Sequence, residues 1–236
     1  MKKKLLYISF MLLLPAIAVY AFGPREEPPP KTTDIKPPED KPYKLPNGDI
    51  KLGEITLHTR TKEISFPGFI NPPDLGTLEI LIVSPPPYGR SHEGLVVTDA
   101  SPFQLEAMLY MMGAKNDRKR DIEGKKGDLI NIDLEWKDGN GQVHREAIEN
   151  WVLDERTDQP MIRKGFYFTG SSFHNDVYQA EGNGNLCLLY SNTPATVLDC
   201  PDKDSDRDIL YVTNPAKLQP GGYRQVRVIL SIRKER

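Results

Sequence analysis

The sequence predicts an α+β fold: a single domain, mostly antiparallel β-sheet, with one main covering helix. Three observations carry that reading. Short runs rich in β-branched and aromatic residues recur from about Glu54 to Arg233. One segment alone, Ser101 to Gly113, combines helical periodicity with helix punctuation at both ends. The patterning from residue 51 onward is not interrupted by a second proline-rich break, which suits one folded unit.

Taken in order, EITLHTR and KEISFPGFI open the folded part, followed by TLEILIVS and GLVVTD. The run DLINIDLEWKDGNGQVHREAI is a hairpin by its own chemistry, because Asp138 to Gly141 supply residues that tolerate positive φ between two alternating segments. Ile130, Ile132, Leu134 and Trp136 fall on one face, and Asn131, Asp133, Glu135 and Lys137 on the other. GFYFTGS, DVYQAE and NLCLLYS read as three more strands, the last two joined at Gly182 to Gly184. PATVLD reads as an apolar turn, and DILYVT and YRQVRVILSIR as two late strands. In the helix, Ser101 caps, Pro102 occupies the first turn, Gln104 sits where a capping-box partner belongs, and Gly113 ends the run. Phe103, Leu105, Met108, Leu109 and Met112 form the apolar surface expected to cover the sheet.

Ahead of this domain, MKKKLLYISFMLLLPAIAVYA places three lysines before an apolar run and ends on small residues, the order of a secretory signal peptide. Residues 1–21 are therefore expected to be a signal peptide, 22–50 a proline-rich disordered linker and 51–236 the folded domain. The chain is expected to be exported, to the periplasm or beyond, with a membrane attachment only if the apolar run stays uncleaved. A formal net charge of −2 with acids and bases intermingled does not suit a phosphate backbone, so no nucleic-acid partner is expected. The basic patch at Ala114 to Asp128 carries four acids among its cations and reads as a solvated loop.

The order ISFPGFIN, SHEGLVVTDASPFQLEAMLYMMGA, LEWKDG, ENWVLDERTDQPM, FYFTGSSF and LDCPDKDSD resembles the YdjY-like domain family of exported bacterial proteins, from about Glu54 to Ile229. The resemblance implies an envelope-associated single domain with no established activity. Its His-Glu dipeptide falls on His92 and Glu93, its helix start on Ser101 and Pro102, its Trp-Lys-Asp-Gly turn on Trp136 to Gly139, and its Thr-Gly-Ser segment on Thr169, Gly170 and Ser171. A ferredoxin-like label carried by some relatives does not transfer, because iron–sulfur clusters need more thiolates than two cysteines supply.

The candidate chemistry is thin. His92 and Glu93 lack the second histidine of a zinc-protease helix, and the following Gly94-Leu95-Val96-Val97 argues for a strand, whose neighbouring side chains diverge. They are candidate ligand-binding or structural residues, with Ser171 as a third; a serine hydrolase built from Ser171 or Ser172 with His92 or His174 has no GxSxG elbow to support it. His58 and His144 read as exposed or half-buried strand residues. Asp202, Asp204 and Asp206 resemble the start of a calcium loop, but Arg207 stands where the turn needs glycine and Thr213 where a closing glutamate belongs. Cys187 and Cys200 are a disulfide candidate in an oxidising compartment, or two small buried side chains. No cofactor is expected. The reading is an exported, non-enzymatic binding or structural module whose partner is an envelope component or protein; the alternative is a hydrolase or metal-dependent enzyme centred on His92 and Glu93.

Overall fold

The structure, a computed structural model, describes residues 41–71, 77–116, 127–190, 194–202, 210–218 and 224–234. The chain forms β1 (Tyr43–Lys44), β2 (Ile50–Leu52), β3 (Ile55–His58), β4 (Glu63–Ile70), β5 (Ile80–Val83), β6 (Gly94–Val97), helix α1 (Pro102–Met112), β7 (Leu129–Lys137) and β8 (Val143–Ala147). It continues through β9 (Val152–Asp154), β10 (Gln159–Pro160), β11 (Phe166–Phe168), β12 (Phe173–His174), β13 (Val177–Tyr178), helix α2 (Gln179–Asn183), β14 (Asn185–Leu188), β15 (Leu198–Asp199), β16 (Tyr211–Thr213) and β17 (Arg224–Ile232).

The expected open sheet under a covering helix is not what forms. Strands make up 42% of the described residues against 16% helix, and eight of the strands close into a barrel. The order is β4-β17-β7-β11-β15-β14-β5-β6, and β6 pairs back onto β4 through Phe69 with Val97 and Ile70 with Val96. That seam has a local cause. The same edge of β4 pairs with β3 at Glu63 to Ser65, then with β6 at Phe69 and Ile70. Between them lie Pro67, which has no N–H to leave unpaired, and Gly68, where an added Cβ would stand 2.8 Å from a Val96 methyl. The Thr98 hydroxyl donates to the Pro67 carbonyl at 2.7 Å and ties β6 to the turning point.

Most pairs are antiparallel, as expected, but β5–β6 and β14–β15 are parallel. The long β4, β17 and β7 carry the barrel wall. Val228 stands opposite both Phe66 and Leu134, and Leu230 opposite Ile64 and Ile132, so alternate positions on three strands deliver one interior face. Phe166 and Phe168 from β11 join them in the same buried cluster. The alternation read from the sequence of β7 holds: Ile130, Ile132 and Leu134 are fully buried. β8 follows β7 through the turn at Asp138 to Gly141 as predicted, with Trp136 opposite His144. β1, β2 and β3 extend the sheet beyond β4, so folded structure begins ahead of the expected residue 51.

The helix α1 forms where its signals put it: Ser101 Oγ accepts from the Gln104 amide at 3.2 Å, and Gly113 ends the helix at φ 100°. It packs against β3, β4, β14 and α2. A distant residue joins the cap: Glu181 of α2 accepts from the Phe103 amide at 3.1 Å and from the Ser101 hydroxyl at 2.8 Å. DVYQAE, expected as one strand, splits into β13 and the helix α2, which ends at Gly184 with φ 65°. PATVLD, expected as a turn, supplies β15. The predicted signal peptide, most of the linker and the middle of the basic patch lie outside the described residues.

Candidate functional site

The residues singled out from the sequence do not converge. His92 and Glu93 lie in a 3-10 turn at Ser91–Glu93 rather than in a strand, so their side chains can meet, with Nε2 3.3 Å from Oε1. The His92 side chain is 72% exposed, whereas Glu93 is held by Arg90, which also pairs with Glu79 at 3.0 Å. Glu93 and Arg90 do the local fastening, and His92 points to solvent. Ser171 is buried and occupied. Its hydroxyl donates to the Pro194 carbonyl at 2.6 Å and accepts from the Ala180 amide at 3.1 Å, which leaves it a fastener rather than a nucleophile. His174 is exposed on β12. His58 and His144 are half-buried, each against a carboxylate, Asp49 at 2.9 Å and Asp138 at 3.0 Å.

Asp202 is engaged by Arg156 at 2.5 Å and by the Tyr211 hydroxyl at 2.7 Å. Asp204 and Asp206 lie outside the described residues. Among the described residues, no cluster of three or more histidine, cysteine or acidic side chains is arranged to hold a metal ion. Cys187 and Cys200 are both buried and carry thiols rather than a disulfide. Burial pushes the Cys187 thiol well up from its ordinary value, with Cys200 and Asp199 adding to the effect.

What the fold does assemble is a groove. A cavity of about 800 Å³ is lined by Tyr88, Phe103 and Met111, by Phe173 and Val177 of the β12–β13 hairpin, and by Pro42 where the described chain begins. Tyr88, Phe103, Phe173 and Val177 are between 51% and 63% exposed. Phe103 meets Phe173 edge-on at 6.2 Å and Tyr178 at 5.2 Å, so the aromatic rings brace one another instead of collapsing inward. The hairpin turns through Asn175 and Asp176, both at positive φ, a tight loop that fixes Phe173 and Val177 side by side. Below the groove, the buried Glu106 carboxylate accepts from the Ser171 amide at 2.9 Å, from the Tyr110 hydroxyl at 3.2 Å and from the Tyr178 hydroxyl. It locks α1 to the hairpin.

Sequence reasoning missed this site, although two signals were present. PFQLEAMLYMM is apolar around more than one face: Phe103, expected with Leu105, Met108, Leu109 and Met112 on the sheet-covering surface, is instead 51% exposed, as is Met111 at 42%. Asn175-Asp176 between Phe173-His174 and Val177-Tyr178 is a two-residue hairpin signal.

One buried acid stands apart. Glu149, in the turn Ile148–Trp151, accepts from the Gly165 amide at 3.3 Å through Oε1, while Oε2 has no partner among the described residues. Burial raises its carboxyl from the ordinary value of 4.5. The folded state therefore holds that proton more tightly than the unfolded chain, and the associated stability is present below 4.5 and lost as pH rises through the folded value. Glu149→Gln should gain stability relative to the parent as pH climbs from 4 to 7. Urea unfolding at both pH values checks this; a constant difference would contradict it. Comparison with models of known protein families, with curated proteins and with solved structures finds no match.

Proposed function

We propose that this protein is an exported, envelope-associated binding module of the YdjY-like type, and that its groove receives an extended proline-rich segment of a partner protein. The observation that carries the reading is the set of aromatic side chains standing side by side and exposed around one cavity, braced from beneath. Soluble domains rarely leave such a surface uncovered without a use for it. Aromatic-lined grooves suit polyproline II segments, which arrive already extended and lose little entropy on docking. Pro42 on the groove wall is an instance of the same packing within this chain. Among the described residues the groove lining carries Asp176 and Glu181 and no cation, which favours a segment flanked by lysine or arginine. The signal-peptide order of the first residues supports export, and no residue pattern supports a catalytic role for His92.

The test is calorimetric titration of the full mature chain with a synthetic proline peptide carrying a lysine at each end. Saturable binding is expected, weakened about tenfold, or about 1.4 kcal/mol, by Phe103→Ala and by Phe173→Ala. His92→Gln should leave it unchanged. Absence of saturable binding, or equal loss in the His92 variant, would sink the reading.

A further inference from the structure

On the barrel wall, in a cavity separate from the groove, lies an arginine whose side chain has no acceptor among the described residues. Arg224, the first residue of β17, has its guanidinium carbon over the Trp136 ring at 5.1 Å and over the Trp151 ring at 5.4 Å. The two indoles meet edge-to-face at 89°, so Arg224 occupies a corner between them. Indole offers no hydrogen-bond acceptor. Among the described residues the Arg224 side chain makes no hydrogen bond or ion pair, although the residue is half-buried. Neighbouring arginines are all paired: Arg227 with Glu135, Arg145 with Glu63 and Asp133, and Arg163 with Asp133. Burial lowers the Arg224 guanidinium from its ordinary value, only partly offset by Glu146. A charge held this way, with its N–H donors unmet, gains most from a planar oxyanion delivered to it.

The space for one is present. A cavity of about 630 Å³ opens beside Arg224, lined by Trp136, Lys137, Arg227, Glu54, Glu135 and Asp138. Its volume falls in the range of small-molecule sites. Charge selects the class of occupant. Arg227 is neutralised by Glu135, and Asp138 faces His144, which holds its carboxyl below the usual range. Arg224 and Lys137 remain to attract an anion, while the Glu54 and Asp138 carboxylates on the lining repel one of high charge. The indole of Trp136 offers apolar surface to the rest of the ligand.

We propose that this cavity is a second binding site, for a small organic monocarboxylate, with Arg224 donating to the carboxylate and Trp136 packing against its apolar part. The protein carries its own reporter, because its only two tryptophans are the pair that flank Arg224, and none lines the groove. The readout is therefore independent of peptide binding there. Tryptophan emission of the full chain is followed while sodium benzoate is added, against sodium chloride at matched ionic strength and against inorganic phosphate. The expected result is a saturable change with benzoate alone, weakened tenfold or more in Arg224→Gln and only severalfold in Lys137→Met, with both variants keeping the parent's circular dichroism. A change equalled by chloride reduces the site to an ionic-strength effect and overturns the proposal. Phosphate binding as well as benzoate overturns the ligand class. Absence of any saturable change in the parent overturns the site itself, whatever the variants do.

Discussion

Replacing Glu106 with alanine lowers stability by about 4 kcal/mol, because it strips an acceptor from buried groups that cannot reach water. Glu106 is 4% exposed on α1 and accepts from the Ser171 amide, the Tyr178 hydroxyl and the Tyr110 hydroxyl. Each donor left unsatisfied in the interior costs roughly 1–3 kcal/mol. The Ser171 amide and Tyr178 hydroxyl are the two deepest, so they dominate the loss. Gly170, at φ 65°, is part of the same arrangement: a Cβ there would come within 2.9 Å of Glu106 Oε1. Glu106→Gln keeps one acceptor and should lose less than half as much. At roughly 2–4 °C per kcal/mol for a chain of this size, the alanine variant should melt about 10 °C lower. A loss below about 1 kcal/mol in urea unfolding would mean that the hairpin opens and hydrates its donors, and that α1 is not locked to it.

Gly89→Ala should be nearly as damaging, by about 3 kcal/mol, for a steric reason. A Cβ on Gly89 would lie 1.7 Å from the Ser84 carbonyl oxygen and 2.6 Å from its carbon. These are backbone atoms that cannot rotate away, and the loop is pinned by the Gly89 amide donating to Pro85 at 3.2 Å and the Ser84 amide donating to Gly184 at 2.8 Å. Gly184 approaches from the other side, where its own Cβ would stand 2.7 Å from the Gly89 Cα. Relief requires moving the segment that carries Tyr88 to the groove, so peptide binding should fall along with stability. Gly139→Ala is the control, since nothing lies within 4 Å of an added Cβ there and its stability should change by less than about 0.5 kcal/mol. Equal behaviour of the two variants would show that the loop yields freely.

The sequence by itself determined the local elements. Ser101, Pro102 and Gly113 bounded α1, and the β-branched alternation of Leu129 to Lys137 with its Asp138 to Gly141 turn made the β7–β8 hairpin, because capping and turn chemistry act between residues a few positions apart. Strand content was legible for the same reason. Tertiary structure alone decided that the sheet closes: Pro67-Gly68 lets β4 change partner, but nothing near it in sequence names β6 as the strand it meets through two residue pairs. A helix surface reads the same whether it covers an open sheet or packs against a closed barrel. Distance along the chain also hid the sites. Glu181 caps Ser101 from across the fold, Phe173 and Val177 join Phe103, and Arg224 meets Trp136 and Trp151, so each site is an encounter between segments that are unremarkable alone. The dipeptide that drew attention, His92-Glu93, does bring its two side chains within 3.3 Å, but joins no other candidate residue. Its turn directs His92 to solvent while Arg90 claims Glu93, because the electrostatics of a nearby guanidinium outweigh the proximity of an exposed imidazole.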